Sequence, residues 1–472
     1  MEPVVTLTIL QLNDVYEITP VAGGREGGLA RVATLRNRLL AEDPNLVTVM
    51  AGDFYSPSAL GTARVDGERL RGKQMVAVLN ALGLDIATYG NHEFDLDEED
   101  FLMRVDESDF QYISANVTDD EGALFPNSAP HALLEIEDES GATMILGITG
   151  TTLASNPKEY VAYGDPFDTL RDKVEELSEV ADVIVALTHL ALEDDMRAAA
   201  EIPDIDLVLG GHEHENVEVY RGSDFTPVMK ADANARTVYV HHLRYDPRTG
   251  SLDLVSELVP ITDAIPDDPE VTAVVDEWVE VAFRGFRENG FDPGAVVATA
   301  TEPLDGREAS VRNRSTTLTQ LIADAMFREG SDVDLAVYNS GSIRIDDVIQ
   351  PGAVSQYDVI RVLPFGGEIL TVEIQGDVLA RALTQGVANR GSGGFLQAAN
   401  ATWENETWMI GDEALDPART YRMAVSDFLV SGRETGLDFF NVEENPGMTL
   451  AATHRDIRMA VIDELQRRYG SP

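Results

Sequence analysis

Apolar stretches alternate with amphipathic ones through the first half of the chain. Apolar runs rich in β-branched residues occupy 5–12, 46–51 and 183–187, and their length and composition predict buried strands. Between them, leucine and valine recur at intervals of three and four residues over 29–40 and 74–82, which predicts helices. Strands that alternate with helices in this way are typical of an α/β domain.

The same alternation continues to about residue 243. A helix-like segment is predicted at 196–202. Further strands are predicted at 86–88, 112–115, 143–148, 206–209, 226–229 and 237–243. We expect the last two of these strands to lie together as a closing antiparallel pair.

A proline- and aspartate-rich break at 260–269 interrupts the pattern, and an amphipathic helix is predicted just after it, over 271–287. A chain of 472 residues is also too long for one ordinary hydrophobic core. We therefore predict a first domain over 1–262, a linker with a bridging helix over 263–293, and a second domain over 294–472.

The second domain mixes strands and helices. Strands are predicted at 295–299, 335–338 and 423–429, and a helix at 317–327. We expect an α+β domain that binds substrate.

The excess of acidic over basic residues limits the kinds of partner that this protein can bind. Acidic residues number 83 against 35 basic ones, for a formal net charge of −48, which argues against nucleic-acid binding and against attraction to an anionic membrane. The acidic residues are spread along the chain, and lysine occurs only at Lys73, Lys158, Lys173 and Lys230. Because salt screens self-repulsion of this size, we predict a halophilic protein adapted to a salt-rich interior.

The lack of cysteine and of a targeting or membrane-spanning pattern determines the chemistry and location that we expect. With no cysteine, neither disulfides nor thiolate chemistry is available. Residues 1–4 (MEPV) lead directly into a strand pattern without a basic segment or cleavage site, and no apolar run approaches membrane-spanning length. We expect a soluble cytoplasmic protein, with no indication of its oligomeric state.

Side chains that can bind metals follow the ends of five predicted strands. Loops at the carboxyl ends of strands converge in open α/β folds, so these side chains are expected to meet. They are Asp14, Asp53, Asn91, His92, His189, His212 and His214. Taken singly, each has a structural alternative, such as a turn residue for an aspartate or a core residue for His189. Together they indicate a metal site, whereas His241 and His242 lie within a strand pattern and are interpreted as structural.

A mixture of aspartate, asparagine and histidine suits divalent ions such as Mn²⁺, Zn²⁺ or Co²⁺. Two such ions bridged by one carboxylate, for which Asp53 is the candidate, stabilise the attacking and leaving oxygens of phosphoryl transfer, and a bridging hydroxide would be the nucleophile. His92 would bind negative charge that develops on the phosphoryl oxygens. Asp95 would orient and charge that imidazole.

The order of these motifs resembles the calcineurin-like metallophosphoesterases, specifically the 5′-nucleotidase and UDP-sugar hydrolase family. The matching segments are 13–14 (ND), 52–53 (GD), 90–95 (GNHEFD), His189 and 211–214 (GHEH). The resemblance implies a four-layer α/β/β/α sandwich with a dinuclear site and a catalytic dyad of His92 and Asp95. It places one ion on Asp14, Asp53 and His214, and the other on Asp53, Asn91, His189 and His212.

One position departs from the family. Its first motif usually reads Asp-x-His, whereas residues 14–16 read DVY here. Either Tyr16 ligates through its phenolic oxygen or the ion keeps a water at that place.

The second domain offers a candidate nucleotide pocket. Arginine pairs with phosphate and phenylalanine stacks on bases, although the phenylalanines could equally be core residues and the arginines could balance the acidic surface. The segments 339–344 (NSGSIR) and 364–366 (PFG) resemble motifs of the same family. That resemblance implies substrate binding by Arg312, Asn339, Arg344, Phe365 and Phe428. The family's Gly-Gly-Asp-Gly-Phe loop reads SGRETG at 431–436, where Glu434 would replace the aspartate.

We therefore expect a dinuclear-metal phosphohydrolase that acts on nucleoside 5′-monophosphates or related nucleotides. UDP-sugar diphosphatase and 2′,3′-cyclic nucleotide phosphodiesterase activities are the alternatives on the same site. Because of Tyr16, a weakly active nucleotide-binding module is the alternative from another class.

Overall fold

Residues 4–138, 141–155, 157–330 and 332–470 are described by the computed structural model of the chain. They form two units with a boundary after Gly285. Residues 1–3, which were expected to lead into the first strand without a leader, lie outside the described residues. Within the described ranges, none of the helices combines the length and apolar character that a membrane crossing requires.

The first unit contains a seven-stranded sheet. Its order across the sheet is Ser251–Pro260, Thr237–Asp246, Val5–Leu12, Leu46–Ala51, Ile86–Thr88, Gln111–Ile113 and Ser128–Ala129. The last five of these strands are parallel, and the first two join antiparallel at one side. Parallel strands bring their carboxyl ends to one edge, so the loops after Leu12, Ala51 and Thr88 lie together.

A six-stranded sheet forms the other half of this unit. Its order is Val217–Arg221, Thr226–Lys230, Leu207–Gly210, Val183–His189, Thr143–Thr152 and His131–Glu137. The four central strands are parallel to one another, with an antiparallel strand at each side.

Valine, leucine and isoleucine from the two sheets pack together in one buried cluster, in which Ile9 and Val49 of the first sheet are grouped with Ile148 and Val185 of the second. Helices cover both outer faces. Leu29–Glu42, Lys73–Leu82 and Glu98–Glu107 are associated with the seven-stranded sheet, and Pro166–Ser178 and Leu192–Glu201 pack on the six-stranded one. The expected four-layer α/β/β/α sandwich is confirmed.

The predicted pairing of the closing strands is wrong. Thr226–Lys230 joins Leu207–Gly210 in the six-stranded sheet, whereas Thr237–Asp246 joins Val5–Leu12 in the other sheet. Nearness in sequence favoured a hairpin, but each strand lies between two neighbours of a different sheet, where both of its edges are hydrogen-bonded. The connection 231–236 therefore crosses from one sheet to the other. There it contacts the first strand-end loop, where the Asn234 N–H donates to the carbonyl oxygen of Asp14 at 2.9 Å.

The second unit is built on a five-stranded sheet. Its order is Leu396–Ala399, Leu335–Asn339, Thr420–Ser426, Glu368–Gln375 and Met448–Asp456. The accompanying helices are Thr317–Glu329, Gln356–Val362, Gly376–Ala388 and Ile457–Tyr469. Gly376–Ala388 packs its apolar face on the sheet through Leu379 and Leu383. This mixed unit agrees with the α+β expectation, and the helix predicted over 271–287 is present as Pro269–Glu288.

Candidate metal centre

Asp14 and Asp53 follow two neighbouring strands of the seven-stranded sheet, and both are fully buried. Their backbones adopt φ values of 52° and 58°, a left-handed conformation that is uncommon for residues other than glycine and that clusters at functional sites. A Cβ at Gly90 would lie 2.1 Å from Oδ1 of Asp53. Glycine is therefore required at position 90 for the two strand-end loops to approach each other.

The sequence predicted that His189 follows a strand. In the structure it is the last residue of that strand, so the sheet itself holds it in place. Its Nδ1 is 2.8 Å from the carbonyl oxygen of Ala51 and its Nε2 is 3.2 Å from Oδ2 of Asp53. Burial opposes a charge on this imidazole, but the nearby Asp53 and Asp14 carboxylates raise its pKa to about 10. The interaction is mutual. Burial alone would raise the pKa of Asp53, but the charge of the neighbouring His189 lowers it below its ordinary value.

His212 and His214 lie in the loop after Leu207–Gly210, with φ values of 88° and 56°. The backbone N–H of His212 donates to Oδ2 of Asp14 at 2.9 Å, and its ring centroid is 5.4 Å from that of His189. Burial, reinforced by the neighbouring His189, lowers the pKa of His212 to about 3. The loop thus places the backbone of His212 and the ring of His214 beside Asp14, since His214 Nε2 lies 3.7 Å from Oδ1 of Asp14.

The segment 91–95 begins with buried Asn91 and continues as a single helical turn, His92–Asp95. The His92 N–H donates to Oδ1 of Asp53 at 2.8 Å. Its Nδ1 is 2.8 Å from Oδ2 of Asp95, which also accepts from the Ser56 hydroxyl at 2.8 Å. With Nδ1 committed to Asp95, a contact from this ring to a substrate would be made by Nε2.

Asn339, which was predicted to bind substrate, contacts the loop at 431–436 in the second unit. Asn339 is buried at a strand end, where its Nδ2 donates to Oε2 of Glu434 at 2.8 Å and its Oδ1 accepts from Ser342 at 2.7 Å. Glu434, at the position where the loop departs from the family, is thus tied to a residue of the 339–344 motif. Arg312 forms an ion pair with Glu308, one turn earlier in the chain.

Arg344 has no carboxylate partner among the described residues, although the chain as a whole is strongly acidic. Its Nε is buried without a hydrogen-bond partner there, and its guanidinium lies 5.8 Å from the ring centroid of Phe365. Phe365 and Phe428 are 45% and 44% exposed. The alternative that these two phenylalanines are core residues is therefore wrong.

His241 belongs to the core, as interpreted from the sequence. Its ring nitrogens lie 2.8 Å from Oγ of Ser256 and 3.0 Å from Oε1 of Gln11. With both nitrogens occupied, this histidine has a structural role within the sheet.

Two family models match the chain. The model of the calcineurin-like phosphoesterases matches residues 7–216. Residues 7–216 thus form a calcineurin-like phosphoesterase domain. The model of the 5′-nucleotidase C-terminal domain matches residues 296–441, within the second unit of this phosphoesterase. The chain is thus a metal-dependent phosphoester hydrolase with a nucleotidase-type second domain.

Relatives of the phosphoesterase include nucleotide-cleaving enzymes. It is 26% identical to the trifunctional nucleotide phosphoesterase protein YfkN of Bacillus subtilis (strain 168), with 90% of this chain aligned to 32% of that protein. It is 27% identical to the 5′-nucleotidase of Bos taurus, over 83% of this chain and 74% of that protein. The chain spans about a third of YfkN and about three quarters of the bovine protein.

A solved structure supports the fold. The 5′-nucleotidase precursor from Thermus thermophilus superposes on the phosphoesterase with a TM-score of 0.78 and 24% sequence identity. The superposition covers 98% of this chain and 97% of that one. The two proteins share one architecture over nearly their whole lengths.

The residues of this phosphoesterase fit divalent metal ions. Asp14, Asp53 and His189 each offer a ligand atom, and these atoms lie within 4.8 Å of one another. Among the described residues, Nε2 of His189 is buried with no aligned hydrogen-bond partner, although Asp53 is near. With Nδ1 directed at a carbonyl, Nε2 is the atom available for an ion, and metal binding would displace the proton that Asp53 stabilises there.

Glu93 is a supporting residue to which the sequence assigned no role. Its buried carboxylate accepts four backbone N–H bonds, from Gly90 at 2.6 Å, Asp53 at 2.9 Å, Phe54 at 2.7 Å and Tyr55 at 3.1 Å. Burial, and then the charge of Asp53, raises its pKa to about 7. Glu93 ties the loop that carries Asp53 to the loop that carries Asn91 and His92. Its position inside the motif at 90–95 was the only signal in the sequence.

Lys230 is a second residue that the sequence left without a role. Its fully buried ammonium donates to the carbonyl oxygens of Leu190 and Gly211, both at 2.8 Å, and pairs with Asp195 at 2.8 Å. It also pairs with the carboxylate of Glu213. Lys230 therefore holds the loop that carries His212 and His214. Two features of the sequence could have identified Lys230: lysine is rare in this chain, and this lysine ends an apolar strand.

Replacing Lys230 by methionine is expected to lower the free energy of unfolding by about 3–5 kcal/mol, because the fully buried Asp195 and the partly buried Glu213 would lose their counter-charge. Chemical denaturation in high KCl measures the change. Lys173→Met, which removes a lysine paired with Glu176 on a helix surface, is the control and should leave stability near that of the parent. Equal stability of the two variants would contradict the structural role of Lys230.

Proposed function

We propose that this chain hydrolyses nucleoside 5′-monophosphates or closely related nucleotides with the help of two divalent ions. One observation supports the proposal. Asp14, Asp53 and His189, from the ends of three separate strands, lie together and are fully buried. Burying two carboxylates beside each other is costly unless a cation compensates their charge. Metal-assisted hydrolysis is the chemistry that such a group serves.

Asp53 is proposed to contact both ions. Asp14 and His214 would complete one position, and Asn91, His189 and His212 the other. When bound, the ions supply an activated water as nucleophile and neutralise negative charge on the phosphoryl oxygens. The carboxylate, amide and imidazole donors suit Mn²⁺, Zn²⁺ or Co²⁺.

His92 is proposed to act on the substrate and not on the ions. Its Nε2 would donate to a phosphoryl oxygen as negative charge develops there. Asp95, 2.8 Å from Nδ1, would fix the direction of the ring. The N–H bond from His92 to Asp53 ties this donor to the residue that is proposed to contact both ions, which keeps the donor in place before the reaction begins.

The second unit is proposed to recognise the nucleoside. Arg344 has no carboxylate partner among the described residues and lies 5.8 Å from the ring centroid of Phe365, so it is proposed to contact the nucleoside bound beside that ring. Phe365 and Phe428 present exposed rings on which a base can stack. Asn339, in the same 339–344 motif as Arg344, and Arg312 complete the proposed set.

A substrate panel tests the proposal. The purified chain in high KCl with Mn²⁺ or Co²⁺ is offered AMP, UDP-glucose and 2′,3′-cyclic AMP, and the products are separated by chromatography. Release of phosphate from AMP with the highest kcat/KM supports the proposal. Preferential cleavage of UDP-glucose or of the cyclic nucleotide would assign one of the two alternative activities instead, and AMP binding without turnover of any substrate would indicate a binding module.

Replacing Arg344 by glutamine is expected to raise KM for AMP about 10- to 100-fold, the loss that follows from removing one charged hydrogen bond. Hydrolysis of p-nitrophenyl phosphate, which has no nucleoside, should change little. Arg422→Gln, which removes an exposed arginine paired with Glu373 in the same unit, serves as the control. An equal loss on both substrates would show that Arg344 does not recognise the nucleotide.

A further inference from the structure

The hydroxyl of Tyr16 lies among three of the predicted metal ligands. It is 2.9 Å from Nε2 of His214, 3.2 Å from Oδ2 of Asp53 and 3.5 Å from Oδ1 of Asp14. His214 and Asp14 are themselves 3.7 Å apart through Nε2 and Oδ1. Tyr16 is 7% exposed and the two carboxylates are buried, whereas the His214 side chain is partly exposed.

These distances match the edges of a metal coordination sphere. Donor atoms about 2.1 Å from one ion are about 3.0 Å apart at right angles and about 3.4 Å apart in a tetrahedron. The three spacings from the Tyr16 oxygen and the spacing between His214 and Asp14 run from 2.9 to 3.7 Å, close to those edges. A phenol donates one proton and can accept one from the imidazole, so hydrogen bonding leaves one of the two carboxylates that face the Tyr16 oxygen without a proton between them.

The backbone and ring of Tyr16 are held in this position independently of the hydroxyl. The N–H groups of Tyr16 and Glu17 donate to Oδ1 of Asn234 at 3.0 and 3.1 Å. The ring centroid lies 5.4 Å from that of His214 and 6.4 Å from that of His92, the latter in an edge-on arrangement. The phenolic oxygen is therefore positioned before any ion arrives, as a ligand in a preorganised site would be.

We propose that the phenolic oxygen of Tyr16 is a ligand of the ion held by Asp14, Asp53 and His214, and that it makes the two ion positions chemically different. This inference rests on the two-ion site of the proposed function. With Tyr16 as a ligand, its position has three oxygen donors and one imidazole.

The other position, formed by Asp53, Asn91, His189 and His212, has two oxygens and two imidazoles. Oxygen donors suit Mn²⁺, whereas imidazole suits Zn²⁺ and its neighbours. The Tyr16 position is therefore the Mn²⁺-preferring one, and the other position retains the stronger preference for Zn²⁺.

Metal counting on three variants tests the proposal. Tyr16→Phe removes the oxygen and keeps the ring, and Tyr16→His exchanges the oxygen for an imidazole. Tyr163→Phe is the matched control, because the Tyr163 hydroxyl has no hydrogen-bond partner among the described residues. Metal-free protein is dialysed in high KCl against Mn²⁺ in about 100-fold excess over Zn²⁺, since most sites bind Zn²⁺ more tightly. Bound metals are counted by mass spectrometry, and bound Mn²⁺ is followed by electron paramagnetic resonance.

The parent chain and Tyr163→Phe are expected to hold one Mn²⁺ and one Zn²⁺. Tyr16→Phe should lose the Mn²⁺, with an affinity at that position at least about 100-fold weaker, since even the residues that support a ligand contribute 10- to 100-fold. Tyr16→His should keep two ions but exchange Mn²⁺ for Zn²⁺.

Two results would overturn the proposal. One is a Tyr16→Phe variant that binds both ions as tightly as the parent. The other is a Tyr16→Phe variant that gains an ion which the parent lacks, because the tyrosine would then be excluding metal. If Tyr16→Phe does not fold, an unchanged ratio of Mn²⁺ to Zn²⁺ in Tyr16→His overturns the proposal by itself. Nucleotide turnover is assayed separately, so an inactive parent that shows the expected metal changes would refute the proposed function and leave this inference standing.

Discussion

Replacing Asp53 by asparagine is expected to reduce phosphate release at least about 10³-fold and to remove bound metal at the same time. One Asp53 oxygen, Oδ2, lies 3.2 Å from both His189 Nε2 and Tyr16 Oη, which belong to different proposed ion positions. The neutral amide would withdraw one negative charge from both positions. Its shape is nearly unchanged, so the fold should persist.

Metal analysis after dialysis and a phosphate-release assay measure the two effects of this substitution. Asp224→Asn, in an exposed turn of the same unit, is the control and should retain both metal and activity. An Asp53→Asn variant that keeps the parent's metal content would contradict the assignment of this carboxylate to both ions, even if activity fell.

Replacing His92 by alanine is expected to lower kcat about 10³-fold while the metal content stays at the parent's value. The physical reason is that His92 would interact with negative charge that appears only in the transition state, so KM for AMP should change much less than kcat. Steady-state kinetics combined with metal analysis separates the two effects.

Two further variants sharpen the test of His92. Asp95→Asn should reduce kcat by a smaller factor, because Asp95 acts only by orienting and charging His92 through the 2.8 Å contact to Nδ1. His242→Ala removes an exposed histidine whose ring is hydrogen-bonded to the Thr8 hydroxyl, far from the residues proposed to act, and should leave kcat unchanged. Loss of metal in the His92 variant would instead place His92 among the ion ligands.

The local elements were largely predictable from the sequence, and the supporting residues of the site were not. The strands Val5–Leu12 and Leu46–Ala51 have the predicted bounds, because an apolar run enclosed by polar loops identifies a buried strand without reference to the rest of the chain. Glu93 and Lys230 gave no comparable signal. Their partners are backbone groups and carboxylates from separate loops, which meet only after the sheets have formed.

Exposure was equally difficult to predict in the second unit. Phenylalanine is usually buried, and for Phe365 and Phe428 the sequence alone left the core alternative open. Only the position of each ring relative to the folded sheet shows that nearly half of its surface remains in solvent.

The sequence by itself determined the central strands of the first unit, the polar residues at the ends of those strands and the departure at Tyr16, because all of these are local properties of the chain. The tertiary structure alone decided which sheet each closing strand joined, and it alone brought the Tyr16 oxygen beside His214, 198 residues away. The physical reason is that strand pairing and side-chain convergence depend on burying apolar surface between segments that are distant in sequence, and no local pattern encodes that choice.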